Sequence, residues 1–299
     1  MTLSIIVPVF NGMPFLPATI RSLERLADEA EVEVIFQDAE SRDGTSELLA
    51  DACRRRPDWR HFREADKGQS DAINRGVTRC TRPWVTWLCA DDLLLPDFRH
   101  LLGLLEYPDL DVVYGDVVLL VDGKIGPAVG TEAFEPGKLS ACRLFIQQPG
   151  TCIRRDVWNR AGGLDQSLYW VMDYDLFMRM EAGGARFFRV ERFVAVARIH
   201  PDAKSSSGSL GRLKEYRKIL RRAHKDGLLA KSYQPYLLYF LEYLIRNAEA
   251  RDSRFARACL PIMHKVFWRL ADPREEQAIT SRFHEMQGRL EEAIKECQS

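Results

Sequence analysis

The sequence predicts an α/β fold: a mainly parallel β-sheet flanked by helices, followed by an α-helical C-terminal segment. Three observations carry that expectation. Over the first two hundred residues short β-rich runs alternate with segments of helical period, the pattern of a layered α/β domain. Polar and acidic residues stand directly after those runs, where parallel strands would end at their carboxyl side. Beyond a Ser- and Gly-rich stretch at residues 204–211 the β-rich runs stop, and Lys, Arg, Leu and Tyr recur at helical spacing. The expected division is 1–207 for the α/β domain and 208–299 for the helical region.

SIIVPVF, residues 4–10, reads as a buried strand. PFLPATIRSLERLA follows as a helix whose Phe15, Leu16, Ile20, Leu23 and Leu26 fall on one face. VEVIFQD, residues 32–38, is the second strand, and Asp43, Gly44 and Thr45 supply a turn and cap for a helix through Leu48, Leu49 and Cys53. A third unit begins at Trp59, with its helix around residues 71–77. WVTWLC, residues 84–89, is a fourth strand that stops at Asp91 and Asp92. A helix near residues 98–105 and a long strand in DVVYGDVVLLVDG come next, with a hairpin-like turn at Asp122 and Gly123. KSSSGSLG, residues 204–211, has no apolar period and is expected to be a loop or lid. KEYRKILRRAHK then reads as a basic helix and YQPYLLYFLEYLIRN as one with a wide aromatic and aliphatic face, Pro235 and Pro261 marking helix starts or breaks. That second helix either packs on the α/β domain, pairs with another copy to make a homodimer, or lies on a membrane.

Composition removes several function classes. The 299 residues carry 43 basic and 43 acidic side chains, so no global field steers the chain toward nucleic acid, and no nucleic-acid partner is expected. No apolar run reaches the roughly 18 residues that span a bilayer, and the opening MTLSIIVPVFNG lacks a basic n-region. The expected location is cytoplasmic, either free or peripheral at the inner face of the plasma membrane. Seven scattered cysteines without a CxxC pair indicate neither a disulfide framework nor a zinc ribbon.

The candidate chemistry sits at the strand ends. Asn11 follows the first strand, Asp38 ends the second, residues 66–71 follow the third, and Asp91 with Asp92 end the fourth. Two adjacent carboxylates at one rim repel unless a cation or donors compensate, and a hard divalent ion such as Mn2+ or Mg2+ is the natural solution. A capping role explains any one of these acids equally well. His200 stands in HPDAKSSS beside Lys204 and several hydroxyls, a set suited to gripping a diphosphate. Read alone, Asp173 and Asp175 in VMDYDLFMRM are first-turn helix acids, Asp165 in GGLD shapes a turn, and Trp84, Trp87 and Trp158 are core or wall residues.

The order of these motifs resembles the inverting glycosyltransferases of family 2, which share the GT-A fold with its Rossmann-like nucleotide-binding half. The resemblance covers roughly residues 3–206. SIIVPVFNG is similar to the opening strand of that family, which implies that Pro8, Phe10 and Asn11 border the base and ribose of a nucleotide-sugar donor. QDAESRDGT is similar to its second-strand motif, in which Asp38 would accept a hydrogen bond from the base. DKGQSDAINRG, with Gly68 and Asp71, resembles the segment that closes over the nucleotide. CADD occupies the place of the DxD motif: the resemblance implies Asp92 as metal ligand and Asp91 as a contact to ribose or donor sugar. QPGTCIRR with Gln148, GGLD with Asp165, and MDYDLFMRM resemble the acceptor side, where Asp173 takes the place of the catalytic base; Trp170, just before it, is either a core or wall residue or a ring that stacks on an acceptor sugar. RIHPDAKSSS resembles the terminal lid, whose His200 would reach the metal or diphosphate. Glu40 and Arg42 stand where small residues are usual, and Met172 replaces an acid that often precedes the base. The function implied is metal-dependent transfer of a sugar from a nucleotide sugar to a saccharide or lipid-linked acceptor, as in bacterial O-antigen, capsule or exopolysaccharide assembly. A nucleotidyltransferase is disfavoured because no Gly-rich basic loop follows the first strand. A catalytically silent nucleotide-sugar sensor or scaffold is disfavoured by retention of both Asp92 and Asp173.

Overall fold

The computed structural model describes residues 3–121, 123–129, 133–137, 139, 146–204, 210–225 and 273–298. Strand β1 (Leu3–Val9) is buried along its whole length, and helix α1 (Leu16–Glu29) covers it with Leu16, Ile20, Leu23 and Leu26. β2 (Val32–Asp38), α2 (Thr45–Arg55), β3 (Trp59–Arg63), α3 (Gln69–Arg79) and β4 (Trp84–Trp87) complete a parallel half in the order β3-β2-β1-β4. α3 lies so close to β1 that a Cβ on Gly76 would sit 2.4 Å from Ile6 Cγ2, which is why this helix position takes glycine.

The rest of the nine-stranded sheet is mixed. β5 (Leu93–Leu94) and a short 3-10 turn (Pro96–Phe98) lead to α4 (Arg99–Leu102). Then come β6 (Val112–Val121), β7 (Lys124–Val129), β8 (Thr151–Arg154), α5 (Arg155–Arg160), α6 (Met172–Ala182) and β9 (Phe187–Ile199). β8 pairs antiparallel with both β4 and β6, β9 runs parallel to β6, and β5 closes the edge against β9. β7 forms the expected hairpin with β6, while Asp122 at its turn lies outside the described residues. The helix expected at residues 98–105 is shorter: its α portion ends at Leu102, before Gly103. The fourth strand likewise ends at Trp87 rather than Cys89, because the chain turns there toward Asp91 and Asp92.

Two helices follow that the sequence placed in its C-terminal region. α7 (Leu210–Lys225) begins inside the expected loop, whose residues 205–209 lie outside the described residues; Leu210 and Gly211 are helical. It puts Tyr216, Ile219 and Ala223 into the core formed by α3, α6 and the sheet. α8 (Pro273–Gln298) lays Phe283, Leu290, Ile294 and Cys297 over Leu93, Val118, Leu120, Phe193 and Val196 on the β5-β9-β6 end. Arg21 and Arg25 on α1 donate to carbonyl oxygens of its last turns, from Arg21 Nε to Cys297 at 2.8 Å and from Arg25 to Ala293 at 3.3 Å. The segment YQPYLLYFLEYLIRN lies outside the described residues. No helix among the described residues is long and apolar enough to cross a membrane.

Candidate active site

The strand ends of the parallel half converge on one rim, and the loops there are tied to one another. After β1, Phe10 is 67% exposed while Pro8 stays buried in the strand. Asn11 adopts a left-handed φ of 50°, its N–H donates to Ser41 Oγ at 2.8 Å, and its side-chain oxygen accepts from the Arg42 amide at 2.9 Å. Gly44, with φ of 94°, opens α2, where the Thr45 hydroxyl accepts from the Gly12 amide at 2.9 Å. Asp38 is fully buried and accepts from the Ser41 amide at 2.9 Å, the Ser46 hydroxyl and, at 3.3 Å, His61 Nε2. Burial alone would raise its pKa, but these hydrogen bonds outweigh it and hold the carboxyl below its usual range. Asp38 thus binds its own loop, and the exposed side chains at this point include Phe10, Asn11, Glu40, Arg42 and Asp43. On the β3 side Gly68, with φ of 116°, turns the chain into α3. Asp71 there accepts from the Lys67 amide at 3.0 Å and from Gln166 Nε2 at 3.3 Å, and pairs with Arg75 at 2.7 Å.

Beyond β4 lie Cys89, Asp91 and Asp92, whose potential ligand atoms fall within 4.8 Å of one another. A buried arginine fixes this turn. Arg198, near the end of β9, donates from its guanidinium to the carbonyls of Asp91 and Phe15 and to the Thr19 hydroxyl, while its backbone N–H donates to Asp92 Oδ1 at 3.2 Å. Two residues on, His200 Nε2 stands 3.1 Å from Asp91 Oδ2, its ring 4.2 Å from that of Phe15. The imidazole therefore meets Asp91 rather than Asp92. Burial, and then the charge of Asp91, push the Asp92 carboxyl well above its ordinary pKa. The Asp91 and Asp92 carboxylates are a donor pair suited to a hard divalent cation, which would relieve the repulsion between them, and His200 stands next to Asp91.

The second acidic pole is Asp173, in the first turn of α6. Its carboxyl accepts from the Tyr174 amide at 2.8 Å. Burial raises its pKa, against the opposing pull of that hydrogen bond and of the Lys204 and Arg212 charges. Lys204 links the two poles: its ammonium donates to Gln69 Oε1 at 2.6 Å and lies 4.5 Å from the Tyr169 ring centre, and Gln69 Nε2 donates to Cys89 Sγ at 3.1 Å. Burial lowers the Lys204 pKa, and the charges of Cys89, Asp173 and Glu215 act against that. Gln148 is buried under this bridge, donating to the Trp87 carbonyl with its oxygen 3.9 Å from Cys89 Sγ. Trp170 is half-buried, edge-on to Tyr169 at 4.7 Å. Asp165 is held by α7, accepting from Arg222 at 3.1 Å and lying 3.9 Å from Lys218.

Four contributors were not singled out from the sequence: Thr19, Gln69, Arg198 and Glu215. Glu215 on α7 accepts from the amides of Tyr169 at 2.7 Å, Trp170 at 2.8 Å and Val171 at 3.3 Å, the backbone leading into α6. It is the single acid in the basic run KEYRKILRRAHK, and that isolation was its one visible signal.

Comparison with known proteins gives the same picture. Residues 4–127 match the family model described as glycosyl transferase family 2. A glycosyltransferase of Rickettsia typhi is 25% identical over 228 residues, covering 71% of this chain and 68% of that protein. The PGL/p-HBAD biosynthesis glycosyltransferase of Mycobacterium bovis is 34% identical over 124 residues, covering 39% of this chain and 46% of that protein. The chain thus spans just under half the length of the mycobacterial relative and about two thirds of the rickettsial one. Among solved structures, S. aureus TarS 1–349 in complex with UDP-GlcNAc superposes with a TM-score of 0.63 at 14% identity, over 99% of this chain and 89% of that one. A mannosyltransferase from Pyrobaculum calidifontis, solved with GDP-Man and Mn2+, gives 0.58 at 17% identity, over 99% and 85%. These structural likenesses establish the GT-A fold. The match to the glycosyl transferase family 2 model spans the segment 4–127, which carries the strand-end motifs from Pro8 to Asp92.

Proposed function

We propose that the protein transfers a sugar from a nucleotide-sugar donor to a saccharide or lipid-linked acceptor by a single displacement that inverts the anomeric centre. The observation that carries this reading is the chain of contacts Cys89–Gln69–Lys204, which runs from the turn of Asp91 and Asp92 to a lysine whose charge acts on Asp173. An in-line displacement needs two poles: charge accumulates on a leaving diphosphate at one end, and a proton leaves the attacking hydroxyl at the other. The UDP-GlcNAc and GDP-Man held by the structural neighbours support a nucleotide sugar as donor.

In this reading Phe10 and Asn11 line the base and ribose, with Pro8 and Asp38 shaping that wall from beneath. Gly68 and Asp71 border the nucleotide, and Lys204 reaches the diphosphate. Asp91, Asp92 and His200 would hold Mn2+ or Mg2+, which when bound supplies positive charge against the departing diphosphate. Asp173 takes the proton from the acceptor hydroxyl, and its raised pKa makes it a stronger base than an exposed carboxylate. Gln148, Asp165 and Trp170 belong to the acceptor side, Trp170 offering a ring face to a sugar. Assembly of bacterial surface polysaccharide is the setting we propose. The test is a panel of nucleotide sugars with the purified protein, with and without Mn2+ and an oligosaccharide or lipid-linked acceptor. Release of nucleoside diphosphate with an inverted glycoside is expected. Release of pyrophosphate, or donor binding without product, would overturn the proposal.

A further inference from the structure

The outer face of α7 carries charge of one sign only. Lys214, Arg217, Lys218, Arg221 and Lys225 are all exposed, and at about 100° per residue they share a single arc of roughly 100°. The one acid of the helix, Glu215, points away from that arc onto the amides of residues 169–171. Tyr216, Ile219 and Ala223 are buried on the opposite side. Among the described residues no carboxylate pairs with Lys214, Arg217, Arg221 or Lys225, while Lys218 donates to the Ser167 hydroxyl and lies 3.9 Å from Asp165. The whole chain is electrically neutral, so this concentration of cations is a local departure from its average. One large apolar side chain stands on the same arc: Leu210, 59% exposed.

We propose that this face of α7 docks the protein on an anionic phospholipid surface. Cations on flexible stems reach lipid phosphates while the exposed Leu210 enters the headgroup boundary, the pairing by which a basic helix face settles on a membrane. A soluble polyanion would neutralise the same charges but give Leu210 no apolar surroundings, so the membrane is the better fit. The contact itself is independent of the transferase reading. Only its use rests on that reading: α7 adjoins the segment leading to Asp173, so docking would bring Asp173 near the surface from which a lipid-linked acceptor projects.

The experiment is co-sedimentation of the full chain, without nucleotide, with vesicles of phosphatidylcholine alone and of phosphatidylcholine mixed with phosphatidylglycerol. Binding is expected only to the mixed vesicles and should weaken as salt rises. Arg217→Glu combined with Arg221→Glu should lower the partition coefficient at least about tenfold, and Arg217→Lys with Arg221→Lys should keep it. Melting temperature and vesicle-free nucleoside diphosphate release should match the parent in both. If the reversed variant melts lower, Arg217→Gln with Arg221→Gln replaces it, with the same direction expected. Equal binding to uncharged vesicles, or unchanged binding after charge reversal, would overturn the proposal. So would retention on soluble polyphosphate with no vesicle binding. Vesicle binding by a protein that releases no nucleoside diphosphate from any donor would remove the transferase reading and leave this surface in place.

Discussion

At the end of β4 the potential ligand atoms of Cys89, Asp91 and Asp92 lie within 4.8 Å of one another, with His200 against Asp91, and the two acids differ in freedom. Asp92 is buried with one oxygen on the Arg198 amide, while Asp91 faces His200 at 3.1 Å. If they hold the cation together, Asp92→Asn should abolish most of the metal-dependent part of donor affinity, because an amide keeps the shape and loses the charge. Titration calorimetry with donor, with and without Mn2+, checks this; an unchanged metal dependence would remove Asp92 from the site. Asp173 is tested through rate rather than binding. Asp173→Asn should keep donor affinity and melting temperature and lower turnover by at least about 10². Burial raises its pKa, so in the parent the acid limb of the turnover profile should lie above the ordinary carboxylate range. Lys204 lowers that pKa by its charge, so Lys204→Met should move the limb further up, and a limb that stays fixed in this variant would separate it from Asp173. These two acids were legible in the sequence because they sit in short motifs. Arg198 and Thr19 were not, since their work is to hold the carbonyls of Ala90, Asp91 and Asp92 from 70 to 110 residues away along the chain, and nothing local in RIH or ATI announces it.

Among the elements, the parallel half followed directly from sequence because each strand there is a short apolar run bounded by turn residues, and VEVIFQD matches β2 end to end. β9 was not foreseen as a strand, because FFRVERFVAVARI buries only its middle and carries three arginines and a glutamate among its apolar residues. The pairing of β9 with β6 supplies what the local pattern lacks. α7 shows the same dependence on distant partners. Its inner face secures α6: Glu215 accepts from three backbone amides ahead of the helix, and Arg222 bridges Asp165 and the buried Asp175. The amides at a helix start have no partner within the helix, so removing the Glu215 carboxylate leaves them dependent on water in a half-buried place. Glu215→Ala should cost about 1–2 kcal/mol by thermal or urea unfolding. It should also lower turnover while donor affinity holds, since Asp173 is carried on the segment released. Glu215→Gln, which keeps an acceptor oxygen, should recover most of both. A variant as stable and as active as the parent would show that water serves these amides equally well.

At the scale of the whole molecule, α8 bears on whether residues 208–299 behave as a domain apart. It lies against α1 and the β5-β9-β6 end, and its Arg282 pairs with Asp116, a fully buried carboxylate at the register shift of β6, which Arg189 also meets at 3.2 Å. Its apolar side chains share one cluster with β5, β6, β9 and Ala18 of α1. A helix held by arginines from α1 at one end and by a buried acid of the sheet further along is joined to the α/β domain by more than its linker. We therefore expect the chain to unfold as one cooperative unit, with the division at 207/208 marking a change of pattern along the sequence and not a break in stability. Leu290→Ala is the sharpest probe, because Leu290 is 4% exposed, far from the strand-end cleft in sequence, and its truncation should cost about 2–5 kcal/mol. Calorimetry of this variant should show one transition moved down by several degrees, with the rise on adding nucleotide and Mn2+ preserved in size. Two transitions, of which Leu290→Ala moves one and nucleotide the other, would instead establish the C-terminal region as an independent folding unit.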